Sequence, residues 1–434
     1  MRSDQEAPSI DARIVYLMEQ GSRLNLVTRK NRNKCIKVTD LFTNQKKEMN
    51  RAKNTSIIIL SVIVAGCGGG SKQSSDDFVT VDVTASYPKI ELILQDFMDV
   101  EYIPLESTDE FITQGVVKAI GKDILLVTNR IVDGDIFVFS RAGKGLRKIN
   151  RLGRSGEEYS QITEIVLDED NNEMFIIDYP ARKILVYDLF GNYKRSFPFT
   201  DTSYYIYTYN YDKDQLICFK SYMLSIENEQ SCHILISKQD GSITREIKIP
   251  YKEIVTPAVI MSEVNVTPSF YLTIPNNDHW VLTRTSSDTV YNYHPDGNLT
   301  SFINRTPSIH SMDPEVFLFP TAITDRYYFM QTIKKEFDLE KMKGFATTDL
   351  VYDKQGNAIF IYTVYNDDFS NRKQVSLGTK PVNQEIAKCQ SLEALALVEA
   401  YQKGELQGEL KEITAKLDEE SNPVIMLIKH KKSK

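Results

Sequence analysis

Short apolar runs, each closed by a polar turn, recur along the chain and are clearest in residues 165–197. Three hydrophobic runs in this stretch end in Asp-Glu-Asp-Asn-Asn, Asp-Tyr-Pro and Asp-Leu-Phe-Gly-Asn, and a fourth run follows. Short β-rich runs separated by Asp, Asn and Gly are typical of antiparallel hairpins. The pattern therefore predicts a four-stranded sheet. One such sheet cannot bury both faces alone, so further copies should stack against it.

A glycine that follows the end of a strand by four residues marks the copies. The pairs are Phe139/Gly143, Tyr187/Gly191, Tyr293/Gly297 and Tyr352/Gly356, with a weaker copy at Ser237/Gly241. The successive glycines lie 48, 50, 56 and 59 residues apart. This spacing suits four-stranded propeller blades with connections of variable length. It places five blades at residues 116–150, 165–197, 204–249, 269–303 and 319–362.

The two ends of the chain supply what is needed to close a ring. Apolar residues recur at helical spacing between about 384 and 420, and residues 423–430 then read as a strand. Spare strands at 79–83 and 100–105 precede the first blade. We therefore predict an all-β fold over residues 78–430, a six-bladed β-propeller of four-stranded antiparallel blades. Both chain ends share the closing blade, and a short helical insertion precedes the last strand.

Four segments also carry a family resemblance. EYIPLESTDE, GRSGEEY, IIDYPARKILVYDLFGNY and EESNPVIMLIKH resemble six-bladed β-propeller lipoproteins of Bacteroides-type bacteria, which are similar to NHL-repeat propellers. The resemblance covers residues 78–430. The family's Gly-Pro-Gly-Glu-Tyr run lacks its proline here, at residues 153–159. The resemblance implies the fold and an exported location, and because it implies no activity, it assigns no catalytic residue.

The N-terminal region carries an export signal. Residues 57–65 are apolar except for one serine, too short for a membrane-spanning helix but suited to the core of a signal peptide. Val-Ala-Gly-Cys then resembles the bacterial lipobox, so we predict a signal peptide at 49–66 and lipid attachment at Cys67. A buried strand ending in cysteine is the alternative. The Gly/Ser-rich residues 68–75 argue against that alternative.

These boundaries define the rest of the precursor. Because an export signal normally begins the chain, residues 1–48 are predicted to be a non-native extension, and 67–77 a flexible tether. Each buried acyl CH₂ contributes about 0.8 kcal/mol, so several chains on Cys67 would anchor the protein stably. We expect an outer-membrane lipoprotein of the cell envelope. Acidic residues at Asp76 and Asp77 favour the cell surface over the periplasmic side.

Composition narrows the class of ligand. With 41% hydrophobic residues, 23 Tyr and 20 Phe, the chain can bury a large core. Residues 67–434 carry 40 basic and 53 acidic side chains, a net charge of −13. An acidic surface argues against nucleic acid, whose phosphates require a basic patch.

The cysteines and histidines indicate neither a metal site nor a catalytic site. Cys218 and Cys232 lie in neighbouring strands of one blade, where a disulfide and two buried thiols both remain open. The five histidines include no His-Glu-x-x-His pair, and the chain contains no Gly-x-Ser-x-Gly or phosphate-binding loop. We therefore predict no metal, no cofactor and no catalytic residue.

Two stretches are candidate ligand sites. In a regular strand the four tyrosines Tyr205, Tyr207, Tyr209 and Tyr211 share one face, and an exposed ladder would stack on sugars or anchor a protein. Packing between neighbouring blades is the alternative. The loop at 153–159 presents Glu157 and Glu158 beside two glycines. The alternative interpretation of this loop is a structural connection between blades, with its glycines at positive φ.

The sequence thus favours a monomeric binding or scaffold module. A glycan, peptide or envelope protein would bind blade-connecting loops on one propeller face. One alternative is a propeller hydrolase or lyase, which requires carboxylates or a metal converging at the central channel. Another is a structural component of an envelope complex, which requires a large apolar surface patch.

Overall fold

The computed structural model describes residues 78–431, apart from 131–132, 201, 223–226, 262–263 and 339–342. These residues form the predicted ring of six β-sheets, so the all-β, six-bladed propeller is confirmed. The predicted lipid attachment site Cys67, together with the segments 1–48, 49–66 and 67–77, lies outside the described residues.

The N-terminal segment follows the rim of the ring and adds a strand to three sheets. It contains β1 (Val79–Asp82), β2 (Lys89–Ile93), the one-turn helix α1 (Leu94–Phe97) and β3 (Met98–Pro104). β1 and β2 pair in parallel with the outer strands of blades four and five, and β3 pairs with the last strand of the chain. Only β3 therefore closes the ring as predicted, while the other two reinforce neighbouring blades.

Blades one, two and three each contain four consecutive antiparallel strands. Blade one consists of β4 (Val116–Ile120), β5 (Ile124–Thr128), β6 (Asp135–Ser140) and β7 (Gly145–Asn150). Blade two consists of β8 (Glu164–Asp168), β9 (Glu173–Asp178), β10 (Lys183–Asp188) and β11 (Tyr193–Pro198). Blade three consists of β12 (Tyr204–Asn210), β13 (Gln215–Ser221), β14 (Cys232–Ser237) and β15 (Ile243–Ile247).

Blades four and five keep this order but carry small hairpins. The connection before blade four, which has no clear sequence pattern, contains β16 (Val259–Met261) and β17 (Val264–Val266). Blade four consists of β18 (Thr273–Asn276), β19 (His279–Leu282), β20 (Thr289–Tyr293) and β21 (Leu299–Thr306), and a 3₁₀ turn (Ile309–Ser311) follows it. Blade five consists of β22 (Val316–Ile323), β23 (Tyr327–Lys334), β26 (Thr347–Asp353) and β27 (Ala358–Asn366). Its polar insertion forms β24 (Phe337–Asp338) and β25 (Lys343–Gly344), and β28 (Lys373–Val375) pairs with β27.

Blade six differs from the prediction in two respects. It contains β29 (Ile386–Leu392), α2 (Ala394–Gln402), α3 (Gly408–Thr414) and β30 (Val424–His430), and the sheet order is β29-β30-β3. The predicted start of helix near 384 is wrong, because the first part of that segment pairs with β30 as a strand. The predicted four strands are also wrong for this blade, which has three within the described part of the chain.

Contacts with blade one show that the missing strand of blade six is the innermost one. The first strands of the other blades lie inside, since β4 contacts β8, β8 contacts β12 and β18 contacts β22. The end of β3 packs against the third turn of blade one at Gly143, as the ends of β7 and β11 pack against the next blades. β3 is therefore an outer strand and β29 a second strand. No described residue forms a strand inside β29.

The alternating strand directions define two faces of the ring. Connections from an outer strand to the next inner strand lie on one face, together with the loops between second and third strands. We call this the loop face, and it carries residues 151–163, 248–272, 307–315 and the two C-terminal helices. The opposite face, which we call the turn face, carries only short turns. No helix among the described residues is long and apolar enough to cross a membrane.

Candidate functional site

The segment that links blades five and six crosses the central channel. Residues 376–385 form no regular strand and occupy the place of the missing inner strand. Their contacts with three other blades are Lys380 Nζ to Glu164 (3.4 Å), the Tyr209 hydroxyl to the Pro381 carbonyl (3.3 Å) and Asn383 Nδ2 to the Ile120 carbonyl (3.1 Å). Because these partners belong to blades two, three and one, the segment spans the channel and closes it.

Five side chains surround the end of the channel on the loop face, and we call them the mouth site. They are Lys118, Glu164, Tyr207, Tyr271 and Lys380. Lys118 donates from Nζ to the Thr163 carbonyl at 3.0 Å, one residue before Glu164. The rings of Tyr207 and Tyr271 lie 5.8 Å apart, nearly perpendicular. All except Glu164 are partly exposed, so the group forms a polar and aromatic surface above the closed channel.

The carboxylate of the mouth site is held inside the protein. Glu164 is 4% exposed and accepts a hydrogen bond from the Thr208 N–H at 3.0 Å. Lys380 lies 3.4 Å from the same carboxylate, and 40% of the lysine side chain remains exposed. Burial raises the pKa of nearby Tyr209 well above its usual value, and the Glu164 charge acts in the same direction. Lys380 and the Thr208 N–H thus both compensate the buried charge of Glu164.

The predicted tyrosine ladder is not formed. A bulge in β12 shifts the register from Ile206 opposite Phe219 to Tyr209 opposite Ile217, and Tyr207 adopts the left-handed region with φ 54°. The strict alternation that would align the four rings is therefore lost. The prediction of one shared face is wrong.

The four tyrosines occupy different environments. Tyr205 is fully buried and its hydroxyl contacts Thr200, while Tyr209 is buried beside the channel segment. Both therefore pack inside the ring, as the alternative interpretation expected. Tyr211 packs against Trp280, and Tyr207 joins the mouth site. Of the four, Tyr207 and Tyr211 retain exposed surface, and their role as ligand contacts stays a prediction.

The loop at 153–159 is joined to the blades on either side of it. The hydroxyl of buried Tyr159 donates to the Gly134 carbonyl at 2.6 Å, and Tyr187 donates to the Glu157 carbonyl at 2.7 Å. Backbone hydrogen bonding within the loop lowers the pKa of Glu158. The expected positive φ is wrong for both glycines, and Gly153 is needed because the Glu158 carboxylate approaches it closely. A ligand-binding role for Glu157 and Glu158 stays a prediction.

The cysteines of blade three are free thiols in the structure. Cys218 lies opposite Ile234 and Cys232 opposite Lys220, so the two cysteines are diagonal neighbours. A diagonal spacing of roughly 7–8 Å is longer than a disulfide spans without movement of the backbone. The geometry favours two buried thiols.

The polar clusters of the described part of the chain do not form a metal-binding group. These residues contain no group of three or more His, Cys, Asp and Glu side chains that would hold a metal ion. His279 bonds its neighbour Asp278 in a surface turn, and Glu315 pairs with Lys335.

A cavity of about 270 Å³ lies on the turn face, between the N-terminal segment at residues 92–97 and the turn after β22. Two cations on its wall are engaged within the fold. Arg326 binds Asp353 through two hydrogen bonds, and Lys431 donates to the carbonyls of Gln95 and Asp96. We regard this cavity as part of the junction at which the N-terminal segment is fixed to blades five and six.

Sequence reasoning missed four members of the mouth site, Glu164 in blade two and the three residues Lys118, Tyr271 and Lys380. The last three lie in blade one, in the connection before blade four, and in the segment that enters blade six. None has an unusual local sequence. Only ring closure brings residues so far apart in the chain together.

The chain is distantly similar to several solved structures. Among solved structures, an exported protein of Bacteroides fragilis is 13% identical with a TM-score of 0.48, over 79% of this chain and 99% of that one. A DUF4221 family member from Bacteroides vulgatus is 9% identical with a TM-score of 0.42, over 78% and 98%. Virginiamycin B lyase from Staphylococcus aureus is 14% identical with a TM-score of 0.32, over 58% and 73%. All three TM-scores are below 0.5, so no property of these proteins is transferred to this chain.

The comparison with curated proteins finds no match. A family profile matches residues 70–386, well over half of the 434 residues, and its description is a 6-bladed beta-propeller. The chain belongs to this 6-bladed beta-propeller family.

Proposed function

We propose that this protein is an exported, lipid-anchored binding module that takes its ligand at the mouth site. The observation that carries the proposal is the aromatic corner of Tyr207 and Tyr271 beside the Lys380–Glu164 pair, above a channel closed by residues 376–385. Aromatic rings provide contact area, and charged groups fix orientation. A glycan, a peptide or a loop of an envelope protein would fit this combination.

The anchor is proposed from the sequence. Val-Ala-Gly precedes Cys67 after an apolar run of signal-peptide length. The first described strand, β1, lies on the outer rim of blade four, so a tether attached there leaves the mouth site accessible. Radioactive palmitate should label the wild-type protein in its host, whereas the Cys67→Ala variant should lose both label and membrane association. Equal labelling of the two proteins would refute the anchor.

Binding is tested on residues 67–434 carrying Cys67→Ser. Calorimetry against a panel of oligosaccharides and peptides should detect at least one ligand. Tyr207→Ala and Tyr271→Ala should weaken its binding about tenfold, the effect of losing one good aromatic contact. Tyr193→Ala, on the outer strand of blade two, serves as the matched control and should bind normally. The proposal fails if no panel member binds and no partner co-purifies.

A further inference from the structure

We propose that β29 is a strand-addition site, at which an extended segment of a partner protein pairs with the uncovered inner edge of blade six. The proposal goes beyond the mouth site, because it concerns main-chain groups of β29 and requires none of the mouth-site side chains. It rests on the missing inner strand, on the exposure of β29 and on the residues that border the gap.

The missing strand leaves the main chain of β29 with a strand partner on one side only. In the sheet order β29-β30-β3, β29 pairs with β30 on its outer side, and no described residue pairs with it as a strand on its inner side. Residues of an antiparallel strand direct their N–H and C=O groups alternately to its two neighbours. Part of the main chain of β29 therefore points towards the channel, and such an edge is a template for pairing with another chain.

The channel segment at 376–385 covers only the beginning of this edge. Asn383 donates its main-chain N–H to the Ile386 carbonyl at 3.1 Å, and its side-chain oxygen accepts the Ile386 N–H at 2.8 Å. Lys388 then donates from Nζ to the Thr379 carbonyl. Within the described part of the chain, no hydrogen bond joins the channel segment to the main chain of residues 389–392. These four residues form the uncovered part of the edge.

The exposure of the side chains agrees with a missing neighbour. The second strands of the other five blades contain no exposed residue. In β29 the first three residues are buried, whereas Gln390 is exposed and both Cys389 and Ser391 are partly exposed. An inner strand shields these positions in the other blades, so its absence uncovers them in blade six.

The borders of the gap indicate an extended main chain as the occupant. On one side, Ser391 donates from Oγ to the carbonyl of Gly115, immediately before the inner strand of blade one. On the other side, Thr379 lies at Lys388. In every other blade a strand antiparallel to the second strand takes the corresponding place. A segment that binds here would complete the four-stranded pattern, at about 4.8 Å from β29.

The surroundings of β29 limit the side chains that such a segment can carry. Adjacent residues of a strand point to opposite faces of the sheet. Cys389 packs against the core between blades six and one, and Ser391 shares that face. Gln390 points to the other face and is exposed. We therefore expect small apolar side chains on the face towards blade one, alternating with polar side chains beside Gln390.

The experiment begins with a phage-displayed library of random octapeptides, selected on residues 67–434 with Cys67→Ser. In the free protein, hydrogen exchange should be faster in residues 389–392 than in β9, the buried second strand of blade two. The selected peptide, made synthetically, should slow exchange in residues 389–392 and leave β9 unchanged. Tyr207→Ala and Tyr271→Ala should not alter its affinity.

Two N-methylated forms of this peptide test the pairing itself and need no change in the protein. Only alternate N–H groups of an added strand face β29. Methylation of that alternate set should weaken binding at least about tenfold, because main-chain hydrogen bonds are lost. Methylation of the other set should leave the Kd within about threefold.

Equal affinities of the two methylated forms would overturn the proposal, as would a library that yields no peptide able to protect residues 389–392. Loss of peptide binding in Tyr207→Ala and Tyr271→Ala would place the peptide at the mouth site and would also overturn it. None of these outcomes removes the proposed function, which fails only if nothing binds the mouth site.

Discussion

At the scale of single residues, the repeated glycine of the third turn has a steric role. Gly143, Gly191, Gly241 and Gly297 all have φ between 73° and 87°. A Cβ atom at any of them would lie 2.6 Å or less from an atom of the preceding blade. The fifth copy differs, since a Cβ atom on Gly356 would meet only Asp353, at an ordinary contact distance of 3.6 Å, and its neighbour Asn357 takes the left-handed conformation. The regular spacing of these glycines is therefore explained by the close packing of each third turn against the preceding blade.

This contrast predicts unequal effects of one substitution. Gly241→Ala places a methyl group 2.1 Å from the ring of Phe197 and forces a left-handed alanine. The backbone term alone costs about 1–2 kcal/mol, so urea unfolding should show a loss of at least that size. Gly356→Ala is the matched control and should change the free energy of unfolding by less than about 0.5 kcal/mol. Equal losses would contradict the steric role.

A buried ion pair joins blades two and three. Lys238 Nζ lies 2.5 Å from Asp168, and both side chains are almost fully buried. The ammonium also donates to the Asp212 carbonyl at 2.6 Å. Removing one partner leaves the other charge uncompensated inside the protein.

Lys238→Met should therefore lower the free energy of unfolding by about 3–5 kcal/mol. Lys122→Met breaks an ion pair of the same type at the surface, where both side chains are at least 75% exposed. That control should leave the free energy of unfolding almost unchanged, because solvent screens an exposed ion pair. Chemical denaturation of both variants measures the difference. Similar losses would show that the buried pair contributes no more to the free energy of unfolding than the exposed pair.

At the scale of elements, one asparagine holds the two chain ends together. Asn422, just before β30, donates to the carbonyls of Glu106 and Phe111 and accepts from the Thr113 N–H. Asn422 is 3% exposed, and its partner residues Phe111 and Thr113 are buried as well. The connection between β3 and β4 is thus fixed to the C-terminal strand, which closes the ring.

Asn422→Ala should cost about 1–3 kcal/mol, because buried donors and acceptors lose their partner. It should also speed hydrogen exchange in residues 105–115 and in β30. Asn371→Ala, which removes an exposed bond to Glu405, is the control and should leave both measurements unchanged. Normal exchange in the variant would show that closure does not depend on this residue.

The strands themselves were predictable because their signal is local. Alternating burial and turn residues placed the blades within a few residues of their observed bounds. Residues 386–392 were assigned to helix because apolar spacing there is ambiguous, and pairing with β30 decided the outcome. The bulge in β12 could not be predicted from the sequence either, since nothing in a run of tyrosines indicates where the register shifts.

At the scale of the whole molecule, the stability of the ring should depend on a buried histidine. Burial lowers the pKa of His233 to about 3, and its ring contacts the Leu272 carbonyl at 3.1 Å. The unfolded chain binds a proton below about pH 6.5, while the folded chain stays neutral until about pH 3. Between these values the unfolded state holds more protons, so stability falls as the pH falls.

Within this pH range His233 lowers the free energy of unfolding by an amount that approaches about 1.4 kcal/mol for each unit by which the pH falls. His233→Gln removes it, so the free energy of unfolding should fall less between pH 7.5 and 4.5 than in the wild type. His310→Gln is the control, because His310 lies in the 3₁₀ turn after blade four and is partly exposed. Parallel pH curves for the wild type and His233→Gln would refute the assignment.

The sequence by itself determined the repeat, the number of blades and the use of both ends to close the ring. These properties follow from hydrophobic alternation and turn residues, which act over a few positions. Only the tertiary structure decided that β1 and β2 reinforce blades four and five, that blade six lacks its inner strand, and that residues 376–385 close the channel. It also assembled Lys118, Tyr207, Tyr271 and Lys380 around Glu164. The reason is physical, since such contacts join distant residues whose pairing depends on the space that the completed ring leaves.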